Sequence, residues 1–375
     1  MELSVHQQVL LGALGLAVVF GAVANKTHFC TLGAVSDWVN IGDTGRMRAW
    51  IFAMAVALAG VLVMESLGLA NISGTTFPHY RTSVFAWMRY LLGGFMFGIG
   101  MTLASGCGSK TLIRIGGGNL KSAVVLAVAA LCAYAMIWTD IYAAAFNPWL
   151  APTAVDLEQH AVRSQALGDV VAGFIGGEGP VIGVIAGWLM VAAFAAFAFG
   201  SRDFRGSFDN VFGGFVVGAV VAAGWFLTGG PLGAEWKGYA EMSAVPPSRV
   251  EVQSFTFIGP MGDTLRYLMS PSKFELINFG IMALTGVLLG SFFYAVAARR
   301  FRIEWFADGS DFARHLAGGA LLGVGGIVAM GCTIGQAISG VSTLALGSVL
   351  TFVAIVAGSV ATMKFQYWLM MREDG

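Results

Sequence analysis

The sequence predicts an all-α polytopic membrane protein. It has about nine transmembrane helices, short re-entrant helices between some of them, and two inverted repeats over residues 1–200 and 201–375. Three observations predict this. Of 375 residues, 57% are hydrophobic and 11% charged, against roughly 25% charged in a soluble domain, and mean hydropathy is +0.76. Apolar stretches near the roughly 20 residues needed to cross a bilayer recur along the whole chain. Finally, GGFMFGIGMTLASGC (93–107) and GGALLGVGGIVAMGC (318–332) match at seven of fifteen positions when aligned on Cys107 and Cys332. Chance would give on the order of one or two, so the chain carries an internal repeat whose apolar segment breaks both times at Gly-Cys.

The long segments fall at about 5–24, 49–69, 85–104, 120–146, 170–200, 211–228, 274–298, 315–330 and 343–369. Trp38, Trp50, Trp87, Trp149, Trp236, Trp305 and Trp368 cluster near their ends, as in the aromatic belts of membrane proteins. The first segment lacks the basic start and small-residue cleavage pattern of a signal peptide, so it is expected to be retained. The 52 glycines suit close helix packing in a membrane. Zero net charge argues against nucleic acid as a partner.

Basic residues orient the chain. Arg46 and Arg48 follow the first segment; Lys110, Arg114 and Lys121 the third; Arg202 and Arg205 the fifth; Arg299, Arg300 and Arg302 the seventh; and Arg372 the ninth. All lie on one side if the N-terminus is outside and the C-terminus cytoplasmic. The loops 147–167 and 229–272, the latter with an IGPMGD turn, then lie outside. The third and eighth segments run in opposite directions, so the repeats are expected to be antiparallel, with a site near the midplane at broken helices. The GGEGP stretch at 176–180 is the point where this parity turns on one span or two. Glu65 and Asp140, near segment ends, are expected to face headgroups.

Cys30, Cys107 and Cys332 end apolar segments, whereas Cys132 sits inside one and reads as a small hydrophobe. After each of the three come stretches too short to span (31–39, 108–115 and 333–340), read as re-entrant helices with the cysteines at their N-termini. Helix N-termini offer free N–H groups and partial positive charge to anions. Gly106, Gly108 and Gly331 let backbone approach a ligand, and Ser105, Ser109, Thr31, Thr333 and Gln336 add neutral donors. Lys110, with Arg114 and Lys121, forms a landing zone for a dianion or simply obeys the positive-inside rule; His28 reads as interfacial. A thiol is a weak, soft donor, suited to an anion with a terminal sulfur. An anion path needs neutral thiols, because a thiolate about 4 Å away would cost roughly 4 kcal/mol per charge at an effective dielectric of 20. A weaker echo pairs CTLGAVSDW (30–38) with TGGPLGAEW (228–236), placing Thr228 where the first half has Cys30.

THFCTLGAVSDW (27–38), ASGCGSKTLIRIGGGNLKSA (104–123) and MGCTIGQAISG (330–340), in that order, resemble the YeeE/YedE family of sulfur-transport membrane proteins over most of the chain. The resemblance implies an inner-membrane protein, not an enzyme, that takes up thiosulfate for cysteine synthesis without a cofactor. It also implies a central path lined by Cys30, Cys107 and Cys332, Cys107 in the middle, with S–H···S hydrogen bonds in relay. A small cytoplasmic TusA-like sulfur-carrier protein is the implied partner, and selenium compounds are the alternative substrate of other branches. Two rivals come from the residues. A membrane thiol–disulfide oxidoreductase would want paired cysteines, and no CxxC is present. A soft-metal channel would want thiolates or Met pairs, and the 17 Met are scattered.

Overall fold

The computed structural model describes residues 3–72 and 76–373. Its helices are α1 (Val5–Lys26), α2 (Thr31–Asn40), α3 (Gly45–Ser66), α4 (Trp87–Leu103), α5 (Gly108–Gly116), α6 (Leu120–Trp138), α7 (Ile141–Ala145), α8 (Asn147–Leu150), α9 (Leu167–Ile175), α10 (Gly179–Phe199), α11 (Arg202–Gly206), α12 (Phe208–Gly229), α13 (Pro231–Met242), α14 (Ile258–Leu268), α15 (Phe279–Ala297), α16 (Gly309–Val328) and α17 (Leu346–Glu373). A π-helical turn, Ile334–Gly340, and a 3₁₀ turn, Val341–Thr343, lie between the last two. Two-residue strands β1 (Thr76–Phe77), β2 (Val84–Phe85), β3 (Val155–Asp156) and β4 (Val252–Gln253) tie loops together, β1 parallel to β4 and β2 antiparallel to β3. The protein is an all-α polytopic membrane protein.

Among the described residues eight helices are long and apolar enough to cross a membrane. The eighth expected segment, 315–330, falls in α16, whose first turns carry Asp311, Arg314 and His315 and so lower its apolarity. The segment 120–146 is shorter than expected, since α6 ends at Trp138 and α7 starts anew at Ile141. The segment 170–200 breaks fully, with Gly176 and Gly177 at φ 77° and 105°. The nine-residue α9 is about 14 Å long at 1.5 Å per residue, half a bilayer core. It folds back on α10, Gly168 lying against Gly179 and Gly183, so this hairpin supplies one spanning helix rather than two.

Glycine sets the closest helix approaches, as expected where backbones pack in a membrane. A Cβ on Gly93 would lie 2.4 Å from the Ala329 amide, one on Gly100 2.7 Å from that of Leu322, and one on Gly318 2.5 Å from that of Ala104. These pairings run in opposite directions along the two chains, so α4 and α16, the segments alike in sequence, pack antiparallel.

The loop 229–272 is more ordered than expected, and its IGPMGD stretch is helical rather than a turn. It holds α13 and α14, and the residues leading into α14, Ser254–Ile258, are buried. The signal was legible: Ile258, Met261, Leu265 and Leu268 recur at helical spacing, with Pro260 in the first turn. Glu65 does not face headgroups freely; its carboxylate takes two hydrogen bonds from Arg81, at 2.7 and 3.1 Å. Arg81 also donates to the Thr343 and Ile72 carbonyls, pinning the 3₁₀ turn.

Candidate functional site

Three helices end in the same way, each just before a cysteine. At the end of α1 the Phe29 N–H reaches back to the Ala24 carbonyl (3.1 Å), with His28 at φ 52°. At the end of α4 the Gly106 N–H reaches Met101 (2.9 Å), with Ser105 at φ 57°. At the end of α16 the Gly331 N–H reaches Gly326 (2.8 Å), with Met330 at φ 60°. This six-to-one bond over a left-handed residue is the Schellman way of stopping a helix. None of the three left-handed residues is glycine, so each stores roughly 1–2 kcal/mol that surrounding packing must hold. The cysteine follows by two positions every time.

The chain then restarts as a short helix. Cys30 is the N-cap of α2, its sulfur accepting from the Gly33 N–H at 3.4 Å. Cys107 is the N-cap of α5, and its sulfur lies 3.3 Å from the Ser109 hydroxyl. Cys332 precedes the π-helical turn and accepts from the Gly335 N–H at 3.5 Å. All three are buried and, like Cys132, free. Cys107 is close enough to both Cys30 and Cys332 for a charge on it to be felt at each. Cys132 instead packs against Gly323 of α16. Thr228, at the position echoing Cys30, has its hydroxyl committed to the Gly224 and Gln253 carbonyls.

Two cavities lie at the cysteine turns, one at Cys30 and one beside the Met330–Gly331 step that precedes Cys332. The larger, about 750 Å³, is lined by Cys30, Ser105, Lys110, Arg114, Arg46, His28, Asp37 and Asp43 among others. Arg46 is held by Asp37, Nε to Oδ2 at 2.7 Å, while Lys110 has no ion-pair partner among the described residues and acts electrostatically on Cys30. The smaller, about 180 Å³, is lined by Met330, Gly331, Thr256, His79, Arg89 and Arg249 with apolar neighbours. Arg249 is paired to Asp263, and Arg89 donates to the Val328 and Ile327 carbonyls. Fixed positive charge therefore lines both cavities, Arg46, Lys110 and Arg114 the larger and Arg89 and Arg249 the smaller.

Buried polar side chains without partners gather along the same line. Thr31, Thr333 and Thr256 have unbonded hydroxyls, and the Gln336 Oε1 is unbonded while its amide nitrogen donates to Ala329 at 2.7 Å. Native proteins rarely leave such groups unsatisfied, so four near the cysteine turns mark a place where a polar ligand or water is met. Gly106 packs on the Lys110 side chain, Gly108 faces Ile258 and Phe257, and Gly331 faces Gln336. The structure thus places Cys30, Ser105 and Lys110 in the lining of the larger cavity, with Thr31, Gly106, Cys107 and Gly108 adjoining them along the chain, and Gly331 in the lining of the smaller, with Cys332, Thr333 and Gln336 following it. Sequence reasoning missed Thr256, Phe257 and Arg249, which come from the loop 229–272 it placed outside, and also Arg89 of α4 and His79 of the loop before that helix.

A family model described as sulphur transport matches residues 26–361. The chain is similar to the thiosulfate transporter TsuA of Escherichia coli, 24% identical over 340 residues covering 88% of this chain and 86% of the relative. It is similar to the TsuA of Spirochaeta thermophila, 25% identical over 362 residues covering 94% and 97%. A shorter likeness, 27% over 157 residues covering 39% and 34%, links it to the probable transporter YedE of Salmonella typhimurium.

Proposed function

This chain belongs to the sulphur-transport family, a family of transporters rather than enzymes, and from that premise we propose that it carries thiosulfate across the inner membrane along a path lined by Cys30, Cys107 and Cys332. One observation carries the proposal. Three buried free thiols stand at the starts of three short helical turns, with one cavity at the Cys30 turn and another beside the Cys332 turn. The names of the two relatives that match over most of their length support thiosulfate as the substrate. The neutral N–H groups and hydroxyls suit sulfonate oxygens, and neutral S–H groups suit the terminal sulfur. Passage is a relay in which the ion exchanges one thiol for the next.

The positive-inside rule makes the larger cavity, with Arg46, Lys110 and Arg114, the cytoplasmic mouth. The antiparallel packing of α4 on α16 supports two inverted repeats over 1–200 and 201–375. Among the described residues, no carboxylate suited to a proton relay lies in the Cys107 turn. Drawing a dianion into a cell at 100 mV costs roughly 4.6 kcal/mol, so net inward flux depends on consumption inside, by a TusA-like sulfur carrier supplying cysteine synthesis.

Uptake by the purified protein in vesicles tests this. Thiosulfate should enter, and Cys107→Ala should abolish entry. Accumulation above electrochemical equilibrium without a partner would overturn the passive mechanism. Full transport by the Cys107→Ala protein would overturn the thiol path.

A further inference from the structure

We propose that Thr256 is a substrate-binding residue: its hydroxyl holds a sulfonate oxygen of the incoming anion where the smaller cavity meets the Cys332 turn, while the thiol takes the other, sulfur end. This rests on the function proposed above and extends it to a residue outside the three cysteine motifs.

The backbone on either side of Thr256 is fixed. The Ser254 hydroxyl donates to Val221 of α12 at 2.7 Å, and the Phe255 carbonyl accepts from the Ser339 hydroxyl of the π-helical turn at 2.7 Å. The next residue, Phe257, turns its backbone N–H toward the Cys332 sulfur. Thr256 is 5% exposed, lines the cavity, and leaves its hydroxyl without a partner. It lies on Gly335, where a Cβ would sit 2.5 Å from Oγ1. The same Gly335 donates its N–H to the Cys332 sulfur, and its carbonyl accepts from the Tyr80 hydroxyl at 2.6 Å. Hydroxyl and thiol therefore flank one glycine.

A buried hydroxyl left unbonded is costly unless something visits it. A cavity of about 180 Å³ has room for a tetrahedral anion with a few waters, each taking roughly 30 Å³. The two donors differ in softness, so together they distinguish the two ends of thiosulfate. Sulfate, with four equal oxygens, can use only one of them well.

The test measures concentration dependence of thiosulfate uptake by the full chain in vesicles. Thr256→Val keeps the shape and removes the donor. It should raise the half-saturation concentration about tenfold with the maximal rate nearly kept, as expected for one hydrogen bond to a charged group. Thr256→Ser should restore the unaltered value, which a packing role would not predict. Thr256→Ala replaces the Val variant if that protein fails to fold. A half-saturation unchanged in the variants lacking the hydroxyl, or a Ser variant as weak as they are, would overturn the inference while leaving the function intact. No uptake by the unaltered protein would remove both.

Discussion

If the glycine seam between α4 and α16 fixes the spacing of the cysteine turns, one methyl group there should disturb both stability and transport. Gly93→Ala is the sharpest case. Its Cβ would lie 2.4 Å from the Ala329 nitrogen, 2.8 Å from the Ala329 Cα and 2.8 Å from the Val328 carbonyl carbon. These are backbone atoms at the point where α16 gives way to Met330 and Cys332, and no flexible side chain can yield. An ordinary contact needs about 3.4 Å or more, so the helices must part by on the order of 1 Å. A gap of that size forfeits a quarter to a half of each dispersion contact along its rim, and overpacking of this kind costs about 1–3 kcal/mol. Gly15→Ala is the control, since nothing lies within 4 Å of its Cβ position on the exposed face of α1; removing a helical glycine there should be neutral or stabilising by about 0.4–1 kcal/mol. Thermal unfolding of the detergent-solubilised protein and thiosulfate uptake in vesicles read the two effects. A Gly93→Ala protein with unaltered melting and unaltered uptake would refute the view that this seam positions the turns.

Cys30→Ala and Cys332→Ala should each reduce uptake strongly and Cys132→Ala hardly at all, because Cys132 packs on Gly323 away from the other thiols; uptake rates of the single variants decide this. Cys107→Ser keeps a donor but loses soft sulfur, so it should pass thiosulfate poorly, and full transport would point to a general oxyanion path. Arg81→Ala strips hydrogen bonds from Glu65 and from the Thr343 and Ile72 carbonyls; a stability loss of about 1–3 kcal/mol is expected by thermal unfolding. At the polar start of α16, the hydrogen bond from Lys121, then that from the Ala307 N–H, holds the Asp311 carboxyl below its ordinary 3.8. Its stabilisation is therefore present above that value and lost as pH falls through the depressed one, so the stability gap between the unaltered protein and Asp311→Asn should narrow in acid melts below about pH 3.8.

The sequence made the membrane class, the repeat and the three cysteine breaks legible because each leaves a local mark: apolar length, glycine spacing, and Gly-Cys or Phe-Cys at a segment end. It did not disclose that His28, Ser105 and Met330 would be left-handed, since none is the glycine that advertises such a turn. Thr256 stayed hidden for another reason. Its segment, 254–258, is brought to the Cys332 turn by contacts with Val221 and Ser339, which are distant in sequence. Charge misled in both directions. Arg89 and Arg249 stand on the face that loop counting left poor in cations, and Glu65 is engaged by Arg81 rather than by solvent. The GGEGP break was visible, but only the approach of Gly168 to Gly183 shows that the chain doubles back there.

On the proposed thiol path, cations at the two mouths and thiols between them would set how long cargo dwells inside. A permanent cation at the narrowest point would make a well deep enough to trap a doubly negative ion. Thiols, hydroxyls and amide N–H groups give many shallow resting places instead, each left as readily as it is entered. Throughput on that path would then scale with the number of ions waiting at either mouth, and the direction of traffic would follow whichever compartment is kept empty.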